Sequence, residues 1–199
     1  RNPNYQDITY WDWGYDSHYH GFTFSLRKRF ADGLQFQTSY TWGKSLDTNS
    51  RGNSGDFSGP AAEPQDTYDL SANYGPSDHD VRQSFRFNWA YALPFSGFSG
   101  AAGTLLQGWQ LQGIVSLNTG GPLQVTLGGG AGLTDYNRDL ARGNERPSLV
   151  AGADPNPILR DGRDPSRYFD VNAFGLQRKG TYGNLGKNTL TGPGLATRL

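Results

Sequence analysis

Between Tyr19 and Phe30 apolar and polar residues change places at every second position, with His20, Phe22, Phe24, Leu26 and Phe30 on one parity and Gly21, Thr23, Ser25, Arg27 and Arg29 on the other. No helix sorts residues this way. Side chains alternate across a strand, so the pattern writes one oily face and one wet, charged face. After a short turn the sorting returns with Leu34, Phe36, Tyr40 and Trp42 against Gln35, Gln37, Ser39 and Thr41. It returns again with Phe85, Phe87, Trp89, Tyr91 and Leu93 against Arg82, Ser84, Arg86 and Asn88. A fourth segment sets Trp109, Leu111, Val115 and Leu117 against Gln110, Gln112, Ser116 and Asn118, with Ile114 as the exception on the wet parity.

Length separates these segments from ordinary strands. A run such as Tyr19 to Phe30, at about 3.3 Å per residue and a tilt near ~40°, rises about 30 Å, enough to cross the apolar band of an outer membrane. Soluble strands are typically about half as long. The expected fold is therefore all-β: an antiparallel transmembrane β-barrel segment, an open meander of four to five long strands. The strands are expected at about 19–30, 34–43, 81–95 and 105–119, the last with a continuation toward 127. Pro122 marks a bulge or strand end within that continuation.

Composition narrows the alternatives. Hydrophobic residues make up 35% and charged residues 18% of the 199 positions, and the mean hydropathy is -0.68. No stretch reaches the roughly 18 apolar residues that a membrane helix needs, whereas a barrel hides its apolar residues in the alternation. Cysteine is absent, which removes disulfide frameworks and Cys-ligated zinc. Basic and acidic residues balance at 18 each, with no Lys/Arg block of the kind that binds nucleic acid, so no nucleic-acid partner is expected.

The connections alternate in length. Ala31-Asp32-Gly33 and Ser96-Gly97-Phe98-Ser99-Gly100 are short turns, whereas 44–79 and 128–194 are long stretches rich in Gly, Asn, Asp, Ser and Pro. Outer-membrane barrels have brief periplasmic turns and extended outer loops, so the two long stretches are expected outside the cell. The chain starts at Arg1 and contains no Met, and about four strands fall short of the roughly eight of the smallest barrels. It is expected to be an internal piece of a longer protein, with the plug and N-terminal domain outside it.

Ordered motifs sharpen the expectation. His18 to Phe30, Gly33-Leu34-Gln35-Phe36 and Ser39 to Asp47 are followed by Asp69-Leu70, Tyr74-Gly75-Pro76-Ser77-Asp78, Asp80-Val81-Arg82 and Leu93-Pro94-Phe95. Then come Gly108-Trp109-Gln110-Leu111, Gly113-Ile114-Val115, Gly121-Pro122, Tyr182-Gly183-Asn184-Leu185-Gly186 and Gly192-Pro193-Gly194. In this order they resemble the late barrel of TonB-dependent outer-membrane receptors, nearest to the Oar-like subgroup, whose members carry a carboxypeptidase-regulatory-like domain before the plug. The resemblance implies a barrel of about 22 strands filled by a plug and energised through TonB. It implies a large solute as cargo: an oligosaccharide, a peptide, a metal chelate or a protein.

Candidate site residues follow from the two faces. Arg27, Arg29, Arg82 and Arg86 lie on the polar parity and are expected to face the lumen, because an Arg toward lipid at mid-depth costs about 2–4 kcal/mol. Lys28, on the oily parity, lies close enough to the turn to snorkel. Loop aromatics Tyr68, Tyr74, Tyr136 and Phe174 are the candidates for cargo contact, while Tyr40, Trp42, Trp89, Tyr91 and Trp109 fit a lipid-headgroup girdle. Asp135, Asn137, Asp139 and Glu145 suggest a calcium loop, but Leu140 stands where Gly should turn and Glu145 comes one residue early, so a structured surface loop is the favoured reading. His18 and His20 share a parity and are read as interfacial rather than metal-binding. No nucleophile elbow or phosphate loop is present, and neither catalysis nor a cofactor is expected. Two rivals remain open: a secreted β-sandwich that binds glycans, and a non-transporting barrel or adhesin.

Overall fold

The structure, a computed structural model, describes residues 14–50, 64–66, 68–95, 97, 99–127, 145–154 and 168–194. Its centre is an antiparallel sheet of four long strands: β1 (Ser17–Ala31), β2 (Leu34–Asp47), β4 (Gln83–Ala92) and β5 (Gln110–Asn118), side by side in chain order. A two-residue strand, β3 (Gly75–Pro76), pairs with the end of β2 at Leu46 and Asp47. The first hairpin closes through Asp32 and Gly33, both at positive φ (54° and 76°). That is the left-handed pair a two-residue hairpin turn requires, with Gly at its second position.

Register carries the alternation from strand to strand. Phe22 faces Trp42, Phe24 faces Tyr40, Tyr40 faces Phe85, and Phe85 faces Leu117. On the opposite surface Ser25, Ser39, Arg86 and Ser116 share one row, and Arg27, Gln37, Asn88 and Ile114 the next. Because the side-chain period is two, this register collects every oily row on one side. Phe36 and Phe87 touch across the strands at 6.0 Å, and Thr23 and Thr41 share a 3.1 Å hydroxyl hydrogen bond on the polar side. At Gly113 a Cβ would lie 2.7 Å from the Trp89 indole nitrogen, so the missing side chain lets that ring lie flat across β5.

The oily face is not a sealed core. Phe24 is 53% exposed, Leu111 48% and Trp42 58%, and among the described residues the buried hydrophobic ones are Ala90, Ala173, Leu185 and Leu190. Among the described residues no second long-stranded sheet covers either face, as the interdigitating inner faces of a β-sandwich would require. No described helix is long and apolar enough to cross a membrane.

Several boundaries differ from expectation. β2 runs on through Lys44 to Asp47, because its polar parity keeps finding partners on β1 up to Ser17. β4 is shorter than 81–95, beginning at Gln83 and ending at Ala92, just before Pro94. The segment expected to start the fourth strand at 105 instead forms a helix, α1 (Gly100–Leu106), and the strand begins at Gln110. Gly108 at φ 82° separates the two periodicities, and Leu105-Leu106 are side by side because they end a helix. Finally, β5 does not continue to 127. β6 (Pro122–Leu123) leaves the large sheet to pair with β9 (Leu190–Thr191), while β7 (Ser148–Leu149) pairs with β8 (Phe174–Gly175). The long 128–194 stretch therefore carries three short strands in its described part.

Candidate functional site

Polar side chains from distant parts of the chain converge at the long-loop end of β2. β3 brings residues 75–80 alongside the strand end. Ser77 donates its amide to the Ser45 carbonyl at 3.0 Å, and the two hydroxyls lie 2.9 Å apart. Asp80 accepts the Ser45 amide at 2.7 Å with one carboxylate oxygen, and its other oxygen accepts Arg82 Nε at 2.9 Å. Ser45, Ser77 and Asp80 are all buried. Every polar atom named is thereby paired, as burial away from water demands.

The far loop closes over this floor. Lys187 donates from Nζ to Asp47 Oδ1, and to Ser50 Oγ at 2.9 Å; both Lys187 and Asp47 are buried. The next residue, Asn188, sits in the left-handed region at φ 51°, and from there its amide reaches the Pro76 carbonyl at 2.8 Å and Asp78 Oδ1 at 2.7 Å. Its backbone N–H donates to Gln124 Oε1 at 2.7 Å. At Gly75 a Cβ would meet the Lys187 carbonyl at 2.7 Å, so the chains touch backbone to backbone there.

A second knot lies beside the first. Gln65 accepts the Arg146 amide at 2.7 Å and donates to the Gly183 carbonyl at 2.9 Å. The Arg146 guanidinium donates to Asn73 Oδ1 and, at 3.1 Å, to the Ala72 carbonyl, the last turn of the 3-10 segment Leu70–Asn73. Burial of that guanidinium pulls its pKa below the ordinary arginine value. Asp69 caps the same segment, accepting from the Ser71 and Ala72 amides and the Ser71 hydroxyl. The Ser71 hydroxyl, followed by the amides, holds the Asp69 carboxyl below its usual value.

The residues singled out in the sequence fall in three places. Arg27 and Arg86 stand on the polar face of the sheet, with Arg86 3.4 Å from Ser116 Oγ, while Arg29 lies where the register of β1 against β2 shifts; none of the ion pairs among the described residues involves these three. Arg82 differs in being tied to Asp80. Tyr68 is 96% exposed, whereas Tyr74 puts its hydroxyl 3.3 Å from His18 Nδ1 and meets that ring edge-on. Phe174 packs edge-on against Phe169, 6.1 Å between centroids, and is half-buried. Tyr136, like Asp135, Asn137 and Asp139, lies outside the described residues, while Glu145 is buried.

Sequence reasoning did not single out Asp47, Lys187, Arg146, Asn188 or Gln65 as a cluster. One signal was available. Of the short stretches that carry the family resemblance, Ser45 to Asp47, Gly75 to Asp78, Asp80 to Arg82 and Gly183 to Gly186 meet here.

The profile of the outer membrane beta barrel domain family matches residues 1–197. The chain belongs to that family. No curated protein and no solved structure matches it. Membership places this outer-membrane barrel segment in the outer membrane, so the oily face of β1, β2, β4 and β5 is the lipid-facing wall and the Arg-bearing face is the opposite one.

Proposed function

We propose that this segment belongs to a TonB-dependent receptor of the Oar-like kind, supplying two hairpins of the wall and part of the outer vestibule through which a large solute enters. The observation that carries the reading is the convergence at Asp47 and Lys187. Asp47, Ser77 and Asp80, from stretches that resemble this subgroup, join Lys187, Asn188, Gln65 and Arg146 in one buried polar clasp, which fixes both long loops to the end of β2. A vestibule that binds cargo needs loops held in place, and loops on a rigid scaffold are where binding residues concentrate.

In this reading Arg27, Arg29 and Arg86 face a wet lumen, against a plug domain of the same protein or a passing anionic group. Tyr68 and Tyr74 are the described aromatics offered to cargo. The segment performs no chemistry of its own, and TonB reaches the receptor through regions other than these strands. An oligosaccharide, peptide, chelate or protein all remain within the size such a passage admits.

The test is accumulation of labelled solutes from these four classes by cells that express the full-length gene, with and without functional TonB. Uptake that requires both the gene and TonB supports the reading. Surface binding without uptake, unchanged by loss of TonB, rejects it in favour of an adhesin.

A further inference from the structure

The link between β4 and β5 does more than turn the chain. The ladder closes with the Leu93 amide donating to the Trp109 carbonyl at 2.9 Å, and beyond it the chain builds α1. The helix is set off by Gly100 and Gly108, both at positive φ. Trp109 stands on the lipid-facing parity with Leu111, and its indole N–H donates back to the Leu105 carbonyl at 2.7 Å. That bond holds the last turn of α1 against an outward-facing ring. Leu105 is 73% exposed, and Leu106 and Trp109 are exposed with it.

Charge reinforces the geometry. From Phe87 to Thr134 the sequence contains no Asp, Glu, Lys or Arg, so the whole link is uncharged. The other short turn, in contrast, carries Asp32 and follows Lys28 and Arg29. A seven-residue helix leaves its terminal amides and carbonyls without intrahelical partners, so it suits the headgroup boundary, where polar groups and water bond them, while covering Leu105, Leu106 and Trp109 there gains about 25 cal/mol per Å² of apolar surface. The patch is also continuous with the lipid-facing rows through Leu111 and Tyr91.

We propose that the Leu93–Trp109 link is a membrane anchor: α1 lies in the headgroup–acyl boundary of the leaflet at the short-turn end, with Leu105 toward the acyl chains. Its partner is the lipid boundary itself, not an anionic headgroup, because the link offers no cation to pair with one. The proposal rests on the lipid-facing assignment of the oily strand rows.

The chain has no cysteine, so a single label placed in it is unambiguous once any cysteine elsewhere in the full-length protein is replaced. The full-length protein, folded into phosphatidylethanolamine–phosphatidylglycerol vesicles, is labelled with an environment-sensitive fluorophore at Leu105→Cys, at Ala101→Cys one turn earlier, and at Phe24→Cys in mid-wall. Quenching by lipids spin-labelled at shallow and deep acyl positions gives depth, and iodide gives water access. Leu105→Cys should be quenched about twofold more by the shallow label than by the deep one, as insertion by about 5–10 Å requires, and equally with or without phosphatidylglycerol. Ala101→Cys repeats the measurement should Leu105→Cys fail to fold, judged by heat-modifiable migration on gels. Strong iodide quenching without lipid quenching overturns the anchor, as does protection from both, which would mean that protein covers the helix. Loss of lipid quenching at Phe24→Cys would instead overturn the wall assignment beneath it.

Discussion

Lys187 donates its ammonium to the carboxylate of Asp47 across 140 positions of sequence, and both groups are buried. Such a pair ties a long loop to the end of β2, and neither partner has water to fall back on. Lys187→Met should leave Asp47 buried with only hydroxyl partners and cost about 3 kcal/mol locally. Hydrogen exchange should show this as faster opening at 182–190 and 75–80, with the amides of β4 and β5 unchanged. Equal loosening of all four strands would mean that the pair supports the wall and not the loop.

Gly183 sits where a Cβ would run into the Arg146 carbonyl, within the bridge that Gln65 makes between the two backbones. Gly183→Ala must push these segments apart, since the obstacle is backbone that cannot rotate away. We expect limited proteolysis to cut the long loops at least several times faster, while heat-modifiable migration of the barrel stays the same.

The two faces of β1 differ only by parity, so neighbouring substitutions should diverge. Phe24→Arg puts a cation into the lipid at mid-wall and should cost about 2–4 kcal/mol in vesicle refolding titrations, whereas Ser25→Arg, on the Arg86 row, should change stability by less than about 0.5 kcal/mol. Similar costs for both would contradict the lipid-facing assignment.

Asp69 accepts hydrogen bonds that cap the 3-10 segment Leu70–Asn73, and these hold its pKa below the model-compound value of 3.8. A carboxyl depressed on folding contributes its stabilisation fully above the unfolded value and loses it as pH falls through the folded one. The Ser71 and Ala72 amide resonances should therefore shift together on acidification, with a midpoint below 3.8. Asp69→Asn should keep the turn and abolish the titration, because an amide oxygen still caps but takes up no proton.

The wall was legible in the sequence because one constraint governs it. Lipid on one side and water on the other force a period of two, and His20 to Phe30 display it without exceptions beyond Lys28. The clasp was not legible for the opposite reason. Asp47, Arg146 and Lys187 are single charges in irregular Gly- and Asn-rich stretches, and their partners are fixed by backbone approach at Gly75 and Gly183, which leaves no periodicity. α1 misled because its apolar residues sit between two oily strands, and only Gly100 and Gly108 hint that the period changes.

The outermost strands of the sheet, β1 and β5, each have a neighbour on one side only among the described residues. Along Ser17–Ala31 the outward-pointing amides and carbonyls have no strand partner among the described residues, and in hydrocarbon water cannot substitute for one. A sheet bounded in this way is sticky at both flanks. Expressed by itself it will zip onto other copies of itself, and its solubility will report that seam before it reports anything about cargo.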